Sequence, residues 1–273
     1  MKQDNTMKNS SNSCKAASTF SRGRQMLIKV PEVTIFFWII KIMATTVGET
    51  AADFLNFNLN FGLTLTTFLM SIILIIALFF QFRSRKYVPG IYWFAVVLIS
   101  IVGTLITDNL VDNYGVALET TTIIFTLALL ATFMAWYASE KTLSIHSIYT
   151  TKREAFYWSA ILFTFSLGTA AGDLIAEGLD LGYLKSALMF AALIGAVTIA
   201  YYRFKLNAVT AFWIAYILTR PLGASLGDFL SQPIDAGGLA LSTMGTSAIF
   251  LVTILGLVIY LTKTRKDESS LVE

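Results

Sequence analysis

The chain has 273 residues, 56% hydrophobic and only 14% charged, with a mean hydropathy of +0.68, where a soluble domain carries about 25% charged residues. Its single cysteine, Cys14, and single histidine, His146, both lie in polar stretches, which excludes a disulfide framework, a thiolate metal centre and a haem held between intramembrane histidines. A metal inside the membrane would have to be held by oxygen atoms and would therefore be a hard cation.

Residues 1–29 are rich in Ser, Asn and Lys. They lack the apolar run of about 7–15 residues that a signal peptide needs and read as a disordered cytoplasmic tail. Eight apolar stretches follow, at 33–54, 63–82, 91–110, 116–138, 155–176, 184–202, 208–230 and 245–262. Each is long enough to cross a hydrocarbon core of about 30 Å as a helix, and too long for barrel strands of about 10 residues. A helix satisfies its own backbone, so the expected fold is all-α, a polytopic membrane protein with eight transmembrane helices.

The charges order these spans. Of the 20 Lys and Arg, all but Lys41, Lys185 and Arg220 fall in the tail, in the loops after spans 2, 4 and 6, or after span 8. Positive loops stay inside, so both termini are expected in the cytoplasm and the chain in the cell membrane, the bacterial inner membrane. The same alternation explains the basic loops without nucleic acid. The opposite face carries Asp112, Glu119, Glu177, Asp180 and Asp235, with Lys185 alone against them.

An internal repeat is the strongest signal. The odd spans contain Phe37-Trp38, Tyr92-Trp93, Tyr157-Trp158 and Phe212-Trp213. Ten residues after each Trp comes a glycine (Gly48, Gly103, Gly168, Gly223), and five after each glycine an aspartate (Asp53, Asp108, Asp173, Asp228). The chain divides into repeats at 30–90, 91–152, 153–207 and 208–262, with a cytoplasmic tail at 263–273. Two spans per repeat make the repeats parallel, unlike the inverted repeats of many transporters.

With its aromatic-Trp start, Gly-x4-Asp motif and four two-helix copies, the chain resembles the bacterial membrane-protein family defined by a tandem repeat of unknown function. The segments VPEVTIFFWIIKIMATTVGETAADF and TRPLGASLGDF carry the resemblance most clearly, which extends from residue 30 to about residue 262. It implies the eight-helix repeat architecture and no particular activity.

Residues four apart share a helix face. The first odd helix thus presents Lys41, Thr45, Glu49 and Asp53 in a row, and the second Val96, Ser100, Thr104 and Asp108. The third presents Ile161, Phe165, Thr169 and Asp173, and the fourth Tyr216, Arg220, Ala224 and Asp228. Two readings of the aspartates stand side by side. Each caps a short helix in the following loop, or the four converge on one axis, where mutual repulsion calls for a cation, a basic partner or protonation.

Arg220 falls near mid-membrane, where a charge costs at least about 2.5–3.5 kcal/mol on insertion scales. It needs a partner, and repeat alignment places Glu49 one turn away, with Lys41 nearer the cytoplasm; Pro221 would weaken the helix beside it. The four glycines read as packing residues, the four tryptophans as anchors in an aromatic belt, and His146 as a solvated loop residue.

Three functions fit. The first is a transporter or channel for a small cation or a proton-coupled solute, lined by the four aspartates with Glu49, Lys41 and Arg220. The second is a structural or stress-related membrane protein without transport. The third is an intramembrane aspartyl hydrolase, since Gly172-Asp173 and Gly227-Asp228 come close to a G-x-G-D pattern whose leading glycine is here Ala170 or Ser225. Besides the lipid bilayer, the partner implied is a small cation or a proton. No cofactor is expected, and no Gly-rich loop ending in Lys-Ser or Lys-Thr points to a nucleotide.

Overall fold

A computed structural model describes residues 28–58 and 61–267. Within them lie eight long helices: α1 Ile35–Asp53, α2 Leu63–Arg83, α3 Pro89–Asp108, α4 Leu118–Glu140, α5 Thr151–Asp173, α6 Tyr183–Phe204, α7 Ala208–Ser231 and α8 Thr243–Thr264. All eight are long and apolar enough to cross a membrane. The starts follow local chemistry. Thr34, Thr150, Asn207 and Ser242 cap α1, α5, α7 and α8 through side-chain oxygens, filling otherwise orphaned backbone donors. Pro89 opens α3, where its missing N–H costs nothing.

The odd helices form an inner ring. α1 packs on α3, α3 on α5, α5 on α7, and α7 back on α1. The even helices sit outside, each against the odd helix of the next repeat: α2 on α3, α4 on α5, α6 on α7 and α8 on α1. Exposed apolar side chains cover this outer layer, among them Phe68, Ile75, Leu127, Met134, Ile199 and Val252. In lipid such a surface is matched to its solvent.

Apolar surface gives little drive for helix association inside a bilayer, so the ring needs specific contacts, and it repeats them. A Cβ placed on Gly48 would strike Ser100; on Gly103, Phe165; on Gly168, Arg220; and on Gly223, Thr45. The four contacts join equivalent positions of successive repeats, the last closing onto the first. Hydrogen bonds support them: Ser166 Oγ donates to the Gly103 carbonyl at 3.1 Å, and Thr107 Oγ1 to the Ser166 carbonyl at 3.0 Å. Thr45 Oγ1 donates to the Thr219 carbonyl at 3.3 Å, and the Thr50 and Ser247 hydroxyls tie α1 to α8 at 2.6 Å.

A second closed ring lies at the start of the odd helices. The first aromatic of each pair meets the tryptophan of the next repeat: Phe37 with Trp93 at 5.6 Å, Tyr92 with Trp158 at 5.5 Å, Tyr157 with Trp213 at 6.2 Å and Phe212 with Trp38 at 5.8 Å. This corrects the expectation of belt anchors. Trp93, Trp158 and Trp213 are only 2, 3 and 5% exposed, turned into the bundle because their ring partners lie there; only Trp38 remains half-buried.

The end of the bundle that carries both terminal segments, called here the terminal end, is tied together by the stretch before α1. Lys29, expected within a disordered cytoplasmic tail, is buried. Its Nζ donates to Glu154 at 2.7 Å and to the Phe82 carbonyl at 2.9 Å, and Gln81 Nε2 donates to the other Glu154 oxygen at 3.2 Å. Past α8, the Asp267 carboxylate accepts from the Tyr87 hydroxyl at 2.6 Å. Its backbone carbonyl accepts from Glu32 N–H at 3.0 Å. Cys14 and the remainder of the N-terminal tail lie outside the described residues.

Candidate functional site

The aspartates close the α-helical part of the first three odd helices. α1, α3 and α5 end at Asp53, Asp108 and Asp173 and pass directly into π-helical turns, Phe54–Asn58, Asn109–Asn113 and Leu174–Gly178. Such widened turns recur at functional positions in other helices. The fourth repeat differs: α7 runs past Asp228 to Ser231, and Pro233 precedes the 3-10 turn Ile234–Ala236. The capping reading finds no support in geometry, because neither Asp108 nor Asp173 makes a side-chain capping bond to the turn that follows it.

The carboxylates gather on the ring axis. One oxygen each from Glu49, Asp173 and Asp228 lie within 4.8 Å of one another. Asp53 and Asp108 complete the group more loosely; like Asp173 and Asp228, each is close enough to Glu49 for the two charges to act on one another. Asp53, Asp108 and Asp173 are half-buried, whereas Asp228 and Glu49 are buried. The cluster therefore opens at the aspartate end and closes toward the middle of the bundle. The rim around it carries exposed Asp112, Glu119, Glu177, Asp180 and Asp235.

Beneath the carboxylates sits Arg220, fully buried. Its Nη2 donates to Glu49 Oε2 at 2.9 Å, to Thr169 Oγ1 at 2.7 Å and to Thr104 Oγ1. Its Nη1 donates to the Thr45 carbonyl at 3.4 Å. Arg220 and Glu49, expected to pair, do so. In the repeat alignment Glu49, Thr104 and Thr169 are equivalent residues, so one arginine reaches up a single helical turn and touches this position on all three other odd helices. Ala224, the fourth equivalent, leaves the space its own helix needs. A planar guanidinium suits such multiple recognition better than an ammonium. Lys41 lies a further layer toward the terminal end, fully buried, its Nζ 4.2 Å from the ring centroids of both Phe165 and Tyr216.

The predicted residues thus separate into two groups. Glu49, Arg220 and the four aspartates share one polar column, and Lys41 continues it downward. The four glycines hold the ring closed around that column, and the tryptophans line its base. Thr104 and Thr169 escaped notice as arginine ligands, although their alignment with Glu49 was the available signal. His146 stands in a short turn, half-exposed, with Nδ1 3.8 Å from a Glu32 oxygen.

Fold and site together define a multi-pass membrane protein of four parallel hairpins closed into a ring around a buried polar column. The chain belongs to the family described as Repeat of Unknown Function (DUF347), whose model matches residues 36–87, 91–142, 156–207 and 211–267. No curated protein and no solved structure matches it.

Proposed function

We propose that the protein binds a small cation at Glu49, Asp173 and Asp228 and carries it, or a solute coupled to it, across the membrane. Both termini then face the cytoplasm, in keeping with the positive-inside bias of the basic loops, and the aspartate end opens on the other side of the cell membrane.

The observation that carries this reading is the meeting of three carboxylates within 4.8 Å, of which only Glu49 is ion-paired among the described residues. Arg220 offsets one negative charge. The remaining aspartates repel one another in a setting of low dielectric, and a cation at their centre relieves that repulsion. All the donors are oxygens, which suits a hard cation. The acidic rim raises the local cation concentration at the mouth. Below the cluster, Arg220 and the aromatic ring close the path, as one side of an alternating-access cycle must be closed.

A hydrolase would use Asp173 and Asp228 as a pair of carboxyl groups. The third carboxylate in the same cluster, held by an arginine, fits a cation site better. The decisive experiment is flux into proteoliposomes with a panel of monovalent and divalent cations. The wild type moves at least one of them, and Asp173→Asn with Asp228→Asn abolishes that flux. Equal flux in both, or none with any cation, overturns the reading.

A further inference from the structure

Below the carboxylates lies a set of buried polar groups that cation binding alone does not use. Among the described residues Lys41 Nζ has no hydrogen-bond partner, and it rests on the faces of Phe165, from α5, and Tyr216, from α7. The charged group that bears on it is Arg220, whose guanidinium carbon lies 5.6 Å from the same Phe165 ring. Tyr216 is the titratable group in contact with Lys41. Among the described residues, no carboxylate from α1, α3, α5, α7 or α8 forms an ion pair with it. A buried ammonium without an anion is costly, and two aromatic faces offset that cost only in part.

Hydroxyl groups continue from Lys41 toward the terminal end. Tyr216 Oη is buried and without a hydrogen-bond partner among the described residues. One turn further on, the Tyr92 and Tyr157 hydroxyls share a 2.5 Å hydrogen bond. Tyr157 lies within electrostatic reach of Tyr92, Tyr216 and Tyr87. The Tyr87 ring is 5.6 Å from that of Tyr92, and its hydroxyl donates to Asp267 at 2.6 Å. Burial and the Asp267 carboxylate hold the Tyr87 phenol well above its ordinary range, so it stays a hydroxyl rather than a phenolate. Hydroxyl groups therefore stand at successive levels between Lys41 and the terminal end, and the Tyr92–Tyr157 bond links two of them.

We propose that Lys41 is a proton-exchanging site, and that a cation held by Glu49, Asp173 and Asp228 and a proton held by Lys41 exclude one another. The inference rests on the cation-site reading above. Arg220 is the link. With the cluster empty, Glu49 offsets the guanidinium. A bound cation takes up the Glu49 charge, and the field that Arg220 already exerts on Lys41 then strengthens, with only π faces to oppose it. One N–H bond of the ammonium breaks, the nitrogen keeps the electron pair as a neutral amine, and the proton ends on bulk water, each tyrosine hydroxyl on the way accepting one proton and giving up another. A monovalent cation gained and a proton lost leave the net charge of the column unchanged.

The test uses the purified full chain in detergent, in weak buffer with a pH-indicator dye, titrated with sodium, potassium or manganese(II) chloride. Calorimetry on the same sample records binding. The wild type releases about one proton per bound cation. Lys41→Met binds cation and releases none. Lys41→Arg keeps length and charge and guards against misfolding of the methionine variant. It also releases none, and it binds about tenfold more weakly because its charge cannot be discharged. If either variant releases as many protons as the wild type, the protons come from the carboxylates and this inference falls alone. If the wild type binds no cation, the cation-site reading fails and takes this inference with it.

Discussion

Gly223, in the last repeat, lies against Thr45, in the first, and so closes between the two ends of the sequence the contact that Gly48 makes with Ser100 inside it. Four hairpins become a ring rather than a row because the fourth glycine finds its partner on the first helix.

Filling these contacts separates packing from mere helix propensity. Gly223→Ala or Gly103→Ala puts a methyl group onto Thr45 or Phe165, at about 1–3 kcal/mol for overpacking. Gly195→Ala and Gly256→Ala, on outer helices with nothing within 4 Å, leave stability unchanged or slightly raise it. Thermal unfolding in detergent, read by loss of the monodisperse peak, distinguishes the two pairs.

Removing one partner of the Arg220–Glu49 pair leaves an uncompensated buried charge, at about 3–5 kcal/mol. Glu49→Gln and Arg220→Leu are both expected to unfold at lower temperature. The double variant Glu49→Gln with Arg220→Met is expected to recover part of the loss, because no buried charge is orphaned. Arg220→Lys falls between, since one ammonium cannot span Glu49, Thr104 and Thr169 together.

The terminal-end tie is also a buried ion pair, Lys29 with Glu154 at 2.7 Å. Glu154→Gln leaves the Lys29 ammonium without its anion. The segment before α1 then loosens, and limited proteolysis cuts it faster than in the wild type. Equal cutting rates would show that the backbone bonds of Lys29 to Ile148 and of Tyr87 to Ile28 hold the segment by themselves.

Cys14, the single cysteine of the chain, reports orientation without mutagenesis. With both termini inside, a membrane-impermeant maleimide leaves it unlabelled in intact cells and labels it once they are permeabilised. Labelling of intact cells contradicts the positive-inside assignment.

Much of this site was legible in the sequence because the repeat supplies an alignment of the chain with itself. The row Lys41, Thr45, Glu49, Asp53 and its three counterparts set depth and face, and from them the Arg220–Glu49 pair followed. The threonines were harder to read, because a threonine in a membrane helix ordinarily bonds its own preceding turn, as Thr169 does to the Phe165 carbonyl at 3.3 Å. Whether its hydroxyl also meets an arginine depends on helix rotation. Rotation likewise decided the tryptophans: position placed Trp93 and Trp158 near helix starts, while their inward turn depends on aromatic partners a repeat away. The Lys29–Glu154 pair joins residues far apart in the chain that no periodicity relates. Nor does any residue pattern mark the π-helical turns, since those widened turns depend on how the helix end meets its neighbours.

Equilibrium cation binding to the purified protein tests the central claim most directly. Calorimetry of the wild type is expected to show saturable binding of a small cation, weakened at least about tenfold, or about 1.4 kcal/mol, in Asp173→Asn with Asp228→Asn and in Glu49→Gln. Binding of equal strength in all three proteins would contradict the assignment of those carboxylates as the site.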